Sequence, residues 1–282
     1  MKPLPGVRLT LVNPGPTAPY SGMLPGLIAG HYQQDELEID LVKLARFAGA
    51  RLILDRVTGL DTGQKLAQLA GRPPIAYSIA SVDIGITTEL KSLPGFDEFT
   101  APAKPLDAYA SAWEQFVQEA QAGTKPPTAA VIGGGVAGVE LAMAMAHRLR
   151  KVCGDRADIA VALIERGSEI VARAAKQRRR KLLAGLMGNG VKVMTDTSVI
   201  AATETGLDIA DGTHLDAAFV TTAIGANPAP WLEETGLALK DGFIRVGPDL
   251  RAIGHEDIFA VGDIAHMDES PRVKAGVFAV RQ

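Results

Sequence analysis

Ala129-Ala130-Val131-Ile132-Gly133-Gly134-Gly135-Val136-Ala137-Gly138-Val139-Glu140-Leu141-Ala142 decides the fold. An apolar, β-branched run ends at Ile132, glycines recur at Gly133, Gly135 and Gly138, and a helical pattern follows at once. This is G-x-G-x-x-G in strand–turn–helix order. In that order Gly133 permits the tight turn, Gly135 lets the backbone approach a pyrophosphate, and Gly138 lets the helix close on the strand. The helix N-terminus offers free N–H groups and a positive dipole end to the phosphate. A glycine-rich turn of purely structural use is the competing reading, and the flanks favour a dinucleotide site.

Downstream, Val139, Ala142, Met143, Ala146 and Leu149 share one helix face. Residues 159–164 form the next buried strand and end at Glu165-Arg166. A carboxylate there accepts both hydroxyls of an unphosphorylated ribose and repels a 2′-phosphate. Glu165 therefore favours NADH, while Arg166 leaves NADPH open; an exposed acid at a strand end is the plainer alternative. A helix over 174–187 stops at Gly188-Asn189-Gly190, and a third strand occupies 191–194. Short strands follow at 198–203, 206–209 and 214–217, with Asp211-Gly212 as a hairpin signal. A β-rich run over 218–224 then meets Gly225.

Upstream, a strand is predicted over 7–12, stopped by Asn13-Pro14-Gly15-Pro16. If this is the second strand of a dinucleotide unit, Asn13 holds the place of the ribose-binding acid. A short helix is predicted at 27–32 and a helix at 39–48. A strand at 51–54 leads into 56–60, with 64–69 as the return of a hairpin. A buried strand within 76–86 ends at Gly85. Residues 106–122 read as a helix, and 122–127, rich in Gly and Pro, as a linker. Near the end come strands at 243–246 and 258–265, the second carrying Gly262-Asp263. A carboxylate so placed can accept from a sugar or polyol hydroxyl; a turn or N-cap role for Asp263 is the alternative.

The chain has 282 residues, 47% of them hydrophobic, which suits one large or two medium domains with real cores. A net charge of −3 argues against nucleic acid as a partner. The basic run 176–181 reads as a solvated helix face. Cys153 stands alone, so an internal disulfide, a C-x-x-C zinc site and a two-cysteine redox centre are excluded. The histidines show no ligand spacing, and no metal site is expected. No apolar run reaches the length of a spanning helix, and no signal peptide opens the chain. The expected location is cytoplasmic, with peripheral membrane association left open.

Three motifs now stand in order: Val131-Ile132-Gly133-Gly134-Gly135-Val136-Ala137-Gly138-Val139-Glu140, Thr222-Ala223-Ile224-Gly225-Ala226-Asn227-Pro228, and Phe259-Ala260-Val261-Gly262-Asp263. Together they resemble the pyridine nucleotide-disulfide oxidoreductases, flavoproteins with two dinucleotide domains. Within that family the chain is most similar to the non-disulfide, type 2 NADH dehydrogenase-like branch. Tyr20-Ser21-Gly22-Met23-Leu24-Pro25-Gly26, Ser81-Val82-Asp83-Ile84-Gly85 and Lys104-Pro105 look most like the oxidoreductase module joined to selenide, water dikinase.

The resemblance implies an α/β fold of two Rossmann-like domains with an antiparallel β-meander, the NAD domain inserted in a split FAD-type domain. The expected boundaries are 1–123 for the first part of the FAD-type domain, 124–237 for the NAD(P) domain and 238–282 for the second FAD-type part. It implies that Gly133, Gly135 and Gly138 hold the NAD(P)H pyrophosphate, Glu140 lies beside the nicotinamide amide, and Glu165 holds the ribose. Gly225 would pass close to the nicotinamide half. Gly262 and Asp263 would meet the ribityl–phosphate portion of FAD, with Gly85 and Asn13 along the same site. Hydride would pass from NADH to flavin, and electrons to a quinone-like or other small acceptor. No catalytic acid or base is implied, because the flavin carries the chemistry. A homodimer or a fused partner domain is compatible with the family.

The family's opening strand and its own glycine turn, which cradle FAD, do not precede residue 7, and its closing segment does not follow Gln282. The expectation is a chain trimmed at both ends, with a slot where a central strand belongs. The alternative function is then a dinucleotide-binding sensor or interaction module without redox turnover, its FAD site lost.

Overall fold

In the computed structural model the described residues are 6–86, 93–103, 106–154, 158–225, 227–271 and 274. Lys104, Pro105 and Ala226 lie outside them. The chain divides into two units, one of 1–20, 38–87 and 226–282, the other of 21–37 and 88–225.

The second unit is built on the run that ends in the glycine turn. Thr128–Ile132 is buried along nearly its whole length, as a central parallel strand must be when both faces are covered. It pairs in parallel with Ala160–Ile164 on one side and Phe219–Thr222 on the other. Val191–Met194 and Ala101–Pro102 extend the sheet to five parallel strands. The helix Val136–Cys153 crosses between the first two strands and buries Val139, Leu141, Ala142, Met145, Ala146 and Leu149. Cys153 is the last residue of this helix. The antiparallel meander is present as Val199–Thr203, Gly206–Ile209 and His214–Asp216.

Leu106–Ala122 also belongs to this unit. Trp113, Phe116 and Phe219 meet with ring centroids 5.2–5.5 Å apart. Such pairs contribute about 0.5–1.5 kcal/mol each beyond their buried area. The Trp113 indole N–H donates to the Ile28 carbonyl at 3.0 Å, tying in the short helix Leu24–Ile28. By these contacts Leu24–Ile28 and Leu106–Ala122 pack within the unit of 21–37 and 88–225. The Gly/Pro stretch at 123 is a helix end: Gly123 is left-handed, and the Thr124 N–H donates to the Glu119 carbonyl at 3.0 Å. Lys125 pairs with the Glu119 carboxylate at 2.8 Å, and the chain enters the Thr128–Ile132 strand directly.

The first unit holds the antiparallel strands Val57–Asp61, Leu66–Leu69 and Ile75–Ala76, so the 64–69 hairpin return is present. Phe243–Val246 lies between Leu239–Lys240 and Ala265–Met267. Leu60, Leu232, Phe243, Ile244, Ile258 and Ile264 form the core. The parallel pairs are spread over three separate sheets, Thr10–Asn13 with Arg51–Leu54, Ala80–Val82 with Ile258–Ala260, and Phe243–Val246 with Ala265–Met267. The Leu9 and Asn13 carbonyls accept from Arg51 and Asp55. By strand alternation, Thr10 and Val12 turn their backbone groups to the opposite edge.

Several local expectations change. The short helix expected at 27–32 is Leu24–Ile28, and the strand expected over 7–12 is Thr10–Asn13. The helix predicted at 39–48 begins at Leu41, because the Asp40 carboxylate caps it by accepting from the Lys43 N–H at 2.9 Å, and Glu38–Asp40 is a strand. The strand within 76–86 is limited to Ala80–Val82, the length of its partner. The strand at 258–265 breaks at Gly262, whose φ of +73° starts a 3-10 turn, and Ala265–Met267 joins a different sheet.

Candidate nucleotide site

The glycine turn lies at the C-terminal ends of the parallel strands, where open α/β sheets bind ligands. Each glycine has its own physical reason. Gly133 has φ +111°, a region closed to L side chains, and a β-carbon there would overlap the Ile224 side chain. A β-carbon at Gly138 would overlap the Gly133 carbonyl oxygen. Both glycines are therefore required by the fold.

Gly135 differs. It is the N-cap of Val136–Cys153 with φ −69°, which any residue adopts, and a β-carbon there would meet no protein atom within 4 Å. Nothing within the unit demands a glycine at this position. The space over it lies at the free N–H end of a helix, and a side chain would fill that space.

Glu165 follows the Ala160–Ile164 strand, and both its carboxylate oxygens are held. Oε2 accepts from the Gly134 N–H and Oε1 from the Gly167 N–H, each at 2.7 Å. The acid thus bridges the glycine turn and its own loop. Gly134, given no role from the sequence, is required here: its β-carbon would lie 2.8 Å from the Glu165 β-carbon and 3.0 Å from Ile170. The unassigned middle glycine of the triplet was the available signal. The Gly134 carbonyl accepts from Val171 at 2.8 Å, closing the loop over the turn.

Gly225 follows Phe219–Thr222 with φ +85°, and the Ala223 N–H donates to the Ile132 carbonyl at 2.8 Å. The structure thus brings Gly133, Gly135, Gly138, Glu165 and the Gly225 turn to one end of one sheet. Glu140 is the fifth residue of the helix, and partial burial raises its carboxyl above the usual range.

The remaining residues lie in the first unit. Asp263 sits in the 3-10 turn Gly262–Ile264, and Asp83 and Gly85 follow the paired strand Ala80–Val82. The Val261 N–H donates to the Val82 carbonyl at 3.0 Å, so the two acids leave adjacent strand ends. Burial raises the Asp83 carboxyl, and Asp263 raises it further. Lys274 donates to the Ala265 carbonyl with its ammonium 4.3 Å from the Phe243 ring centroid; burial lowers its pKa, against the pull of Asp263. Asp83 and Lys274 had no functional reading from the sequence. Gly85, like Gly135, has no protein atom within 4 Å of where a β-carbon would stand. Asn13 ends a separate parallel pair, and its side-chain amide donates to the carbonyls of Gly15 and Thr17 at 2.8 and 3.2 Å. Its donors hold its own turn.

Comparison with known proteins follows this geometry. The family model described as pyridine nucleotide-disulphide oxidoreductase matches residues 4–282. The chain is 28% identical over 245 residues to demethylphylloquinone reductase NdbB of Synechocystis sp., covering 84% of this chain and 59% of that protein. It is 20% identical over 271 residues to the type II NADH:quinone oxidoreductase of Staphylococcus haemolyticus, covering 91% of this chain and 67% of that one. The structure of NDH2 from Plasmodium falciparum in complex with NADH superposes with a TM-score of 0.80 at 17% identity, covering 92% of this chain and 60% of that chain. The chain spans about three fifths of the length of the Synechocystis relative.

Proposed function

This chain belongs to the pyridine nucleotide-disulphide oxidoreductase family, and on that premise we propose that it passes hydride from NADH to FAD and electrons onward to a quinone-like acceptor. The observation that carries the nucleotide half is Gly135: a glycine that the fold does not require, at a helix N-terminus, with open space over it. That space suits a pyrophosphate, with the helix N–H groups as donors. Glu165, pinned by Gly134 and Gly167, keeps a second lone pair on each oxygen for the ribose hydroxyls. A 2′-phosphate would face a fixed negative charge, which supports NADH over NADPH. On this reading Glu140 would meet the nicotinamide amide, and Gly225 would let that half of the cofactor lie against the backbone.

The donor set of the first unit fits the flavin's polyol and phosphate. Asp263 and Asp83 are acceptors for ribityl hydroxyls, Lys274 is a local cation, and Gly85 leaves room for close approach. Bound flavin supplies the step from two-electron to one-electron chemistry. The chain's own task is to bind and orient. The activities for which the relatives are named, demethylphylloquinone reductase and type II NADH:quinone oxidoreductase, support a quinone-like acceptor.

One observation favours a second reading. The parallel pairs of the first unit stand in three separate sheets rather than one, which supports a nucleotide-binding module without redox turnover. Reconstitution with FAD distinguishes the two. The oxidoreductase reading expects a bound flavin spectrum that bleaches when NADH is added. NADH binding with no flavin retained after gel filtration would leave the binding-module reading.

A further inference from the structure

The hairpin of Val57–Asp61 and Leu66–Leu69 carries residues that neither cofactor uses. Leu60 is buried in the core, so by strand alternation Gly59 and Asp61 turn the other way. Gln68 stands opposite Gly59, just after the register shifts. Gly59 is not left-handed, and a β-carbon there would meet only the Gln68 side chain, at 3.4 Å. A strand glycine of this kind marks a bulge or the close approach of a ligand. The 3-10 turn Pro230–Glu234 faces this side of the hairpin, tied to it by the Thr62 hydroxyl, which donates to the Thr235 carbonyl at 3.2 Å. Between turn and hairpin lies a cleft of about 290 Å³, lined by Gly59, Asp61, Thr62, Gln68, Trp231 and Glu234 among others. All of them belong to the first unit.

Two carboxylates and one indole line this cleft, and no lysine or arginine does. Asp61 spends one oxygen on the Gln64 N–H, at 2.8 Å. Among the described residues neither Asp61 nor Glu234 has an ion-pair partner. Lys65, on the same hairpin, is taken up by Asp257 at 2.7 Å. We propose that the cleft binds a small organic amine in its ammonium form. The two carboxylates accept from its N–H donors, and the Gln68 side-chain carbonyl is a further acceptor. Trp231 offers the aromatic surface that attracts a cation best, and covers the apolar carbons of the same ligand. A divalent metal ion fits poorly, since it asks for six or more oxygens and the indole supplies none. A neutral or acidic ligand would leave both carboxylates unanswered.

The test is calorimetric titration of the full chain with 1,4-diaminobutane, followed in parallel by tryptophan fluorescence. Saturable binding is expected, with a change in indole emission. The uncharged 1,4-butanediol, of the same length, is expected not to bind. Asp61→Asn together with Glu234→Gln should weaken the diamine at least about tenfold. The same loss of charge at Glu256 and Glu269, exposed in the same unit, should leave it within about twofold. Trp231→Phe should remove the emission change and weaken binding about threefold. Gly59→Val should abolish binding by filling the floor, with circular dichroism showing each variant folded. Equal weakening by both double variants would overturn the proposal. So would equal affinity for the diol, or calcium displacing the diamine, since the cleft would then select an apolar body or a metal ion.

Discussion

Gly135 and Gly138 carry the same residue type for opposite reasons, and substitution tells them apart. A side chain at Gly138 runs into the Gly133 carbonyl, so Gly138→Ala is expected to cost about 1–3 kcal/mol of stability by overpacking. Gly135→Val meets only open space and has an allowed φ, so its melting temperature should stay near that of the unmodified chain. Its NADH affinity, read by titration, should collapse. Unchanged affinity in Gly135→Val would remove the pyrophosphate from this turn. The two kinds of glycine look identical in the sequence, because the difference lies in what surrounds each one. Gly134 makes the same point: its need comes from Glu165, whose carboxylate returns to it only in the fold.

At the scale of elements, the meander Val199–Thr203, Gly206–Ile209 and His214–Asp216 carries a pH response. His214 Nδ1 lies 2.7 Å from the Asp208 carboxylate, and Nε2 lies 3.2 Å from the Thr205 hydroxyl. The hydrogen bond to Asp208 is the first cause that raises the His214 pKa above its ordinary value. A raised folded-state pKa adds stability that is full below the unfolded pKa and is lost as pH rises through the folded one. His214→Gln should therefore lower thermal stability more at about pH 5.5 than at about pH 8.5. An equal loss at both would mean that the pair is not charged in the folded state. Several elements were legible to the residue: Leu106–Ala122, Val191–Met194 and Phe243–Val246. Glycine, proline or polar turns bound them, and their periodicity is plain. Residues 258–267 were not, since one apolar run serves two sheets and the break depends on the φ of Gly262.

For the whole molecule, the division into 1–20, 38–87 and 226–282 against 21–37 and 88–225 was only partly visible. The nucleotide unit announced itself through its glycine turn and alternating strands and helices. The membership of 21–37 and 106–122 was hidden, because it rests on Trp113 reaching a carbonyl eighty-five positions away. Ligand binding should follow the same division. NADH at about a hundred times its dissociation constant adds about 2.7 kcal/mol to whatever binds it. In a Trp231→Phe variant, thermal unfolding followed by the fluorescence of Trp113 should shift upward with NADH; no shift there, with a rise in another calorimetric transition, would place the nucleotide in the first unit.

The pair of Thr10–Asn13 with Arg51–Leu54 carries a practical consequence. Thr10 and Val12 present backbone donors and acceptors along an edge that no described strand covers, next to Val7 and Leu9 at 61% and 53% exposure. Such an edge is a template on which another copy can extend the ladder. Light scattering should therefore show self-association that grows with concentration, and none would mean that the edge is covered. A charged residue in place of Leu9 is the direct remedy, acting as a gatekeeper against aggregation.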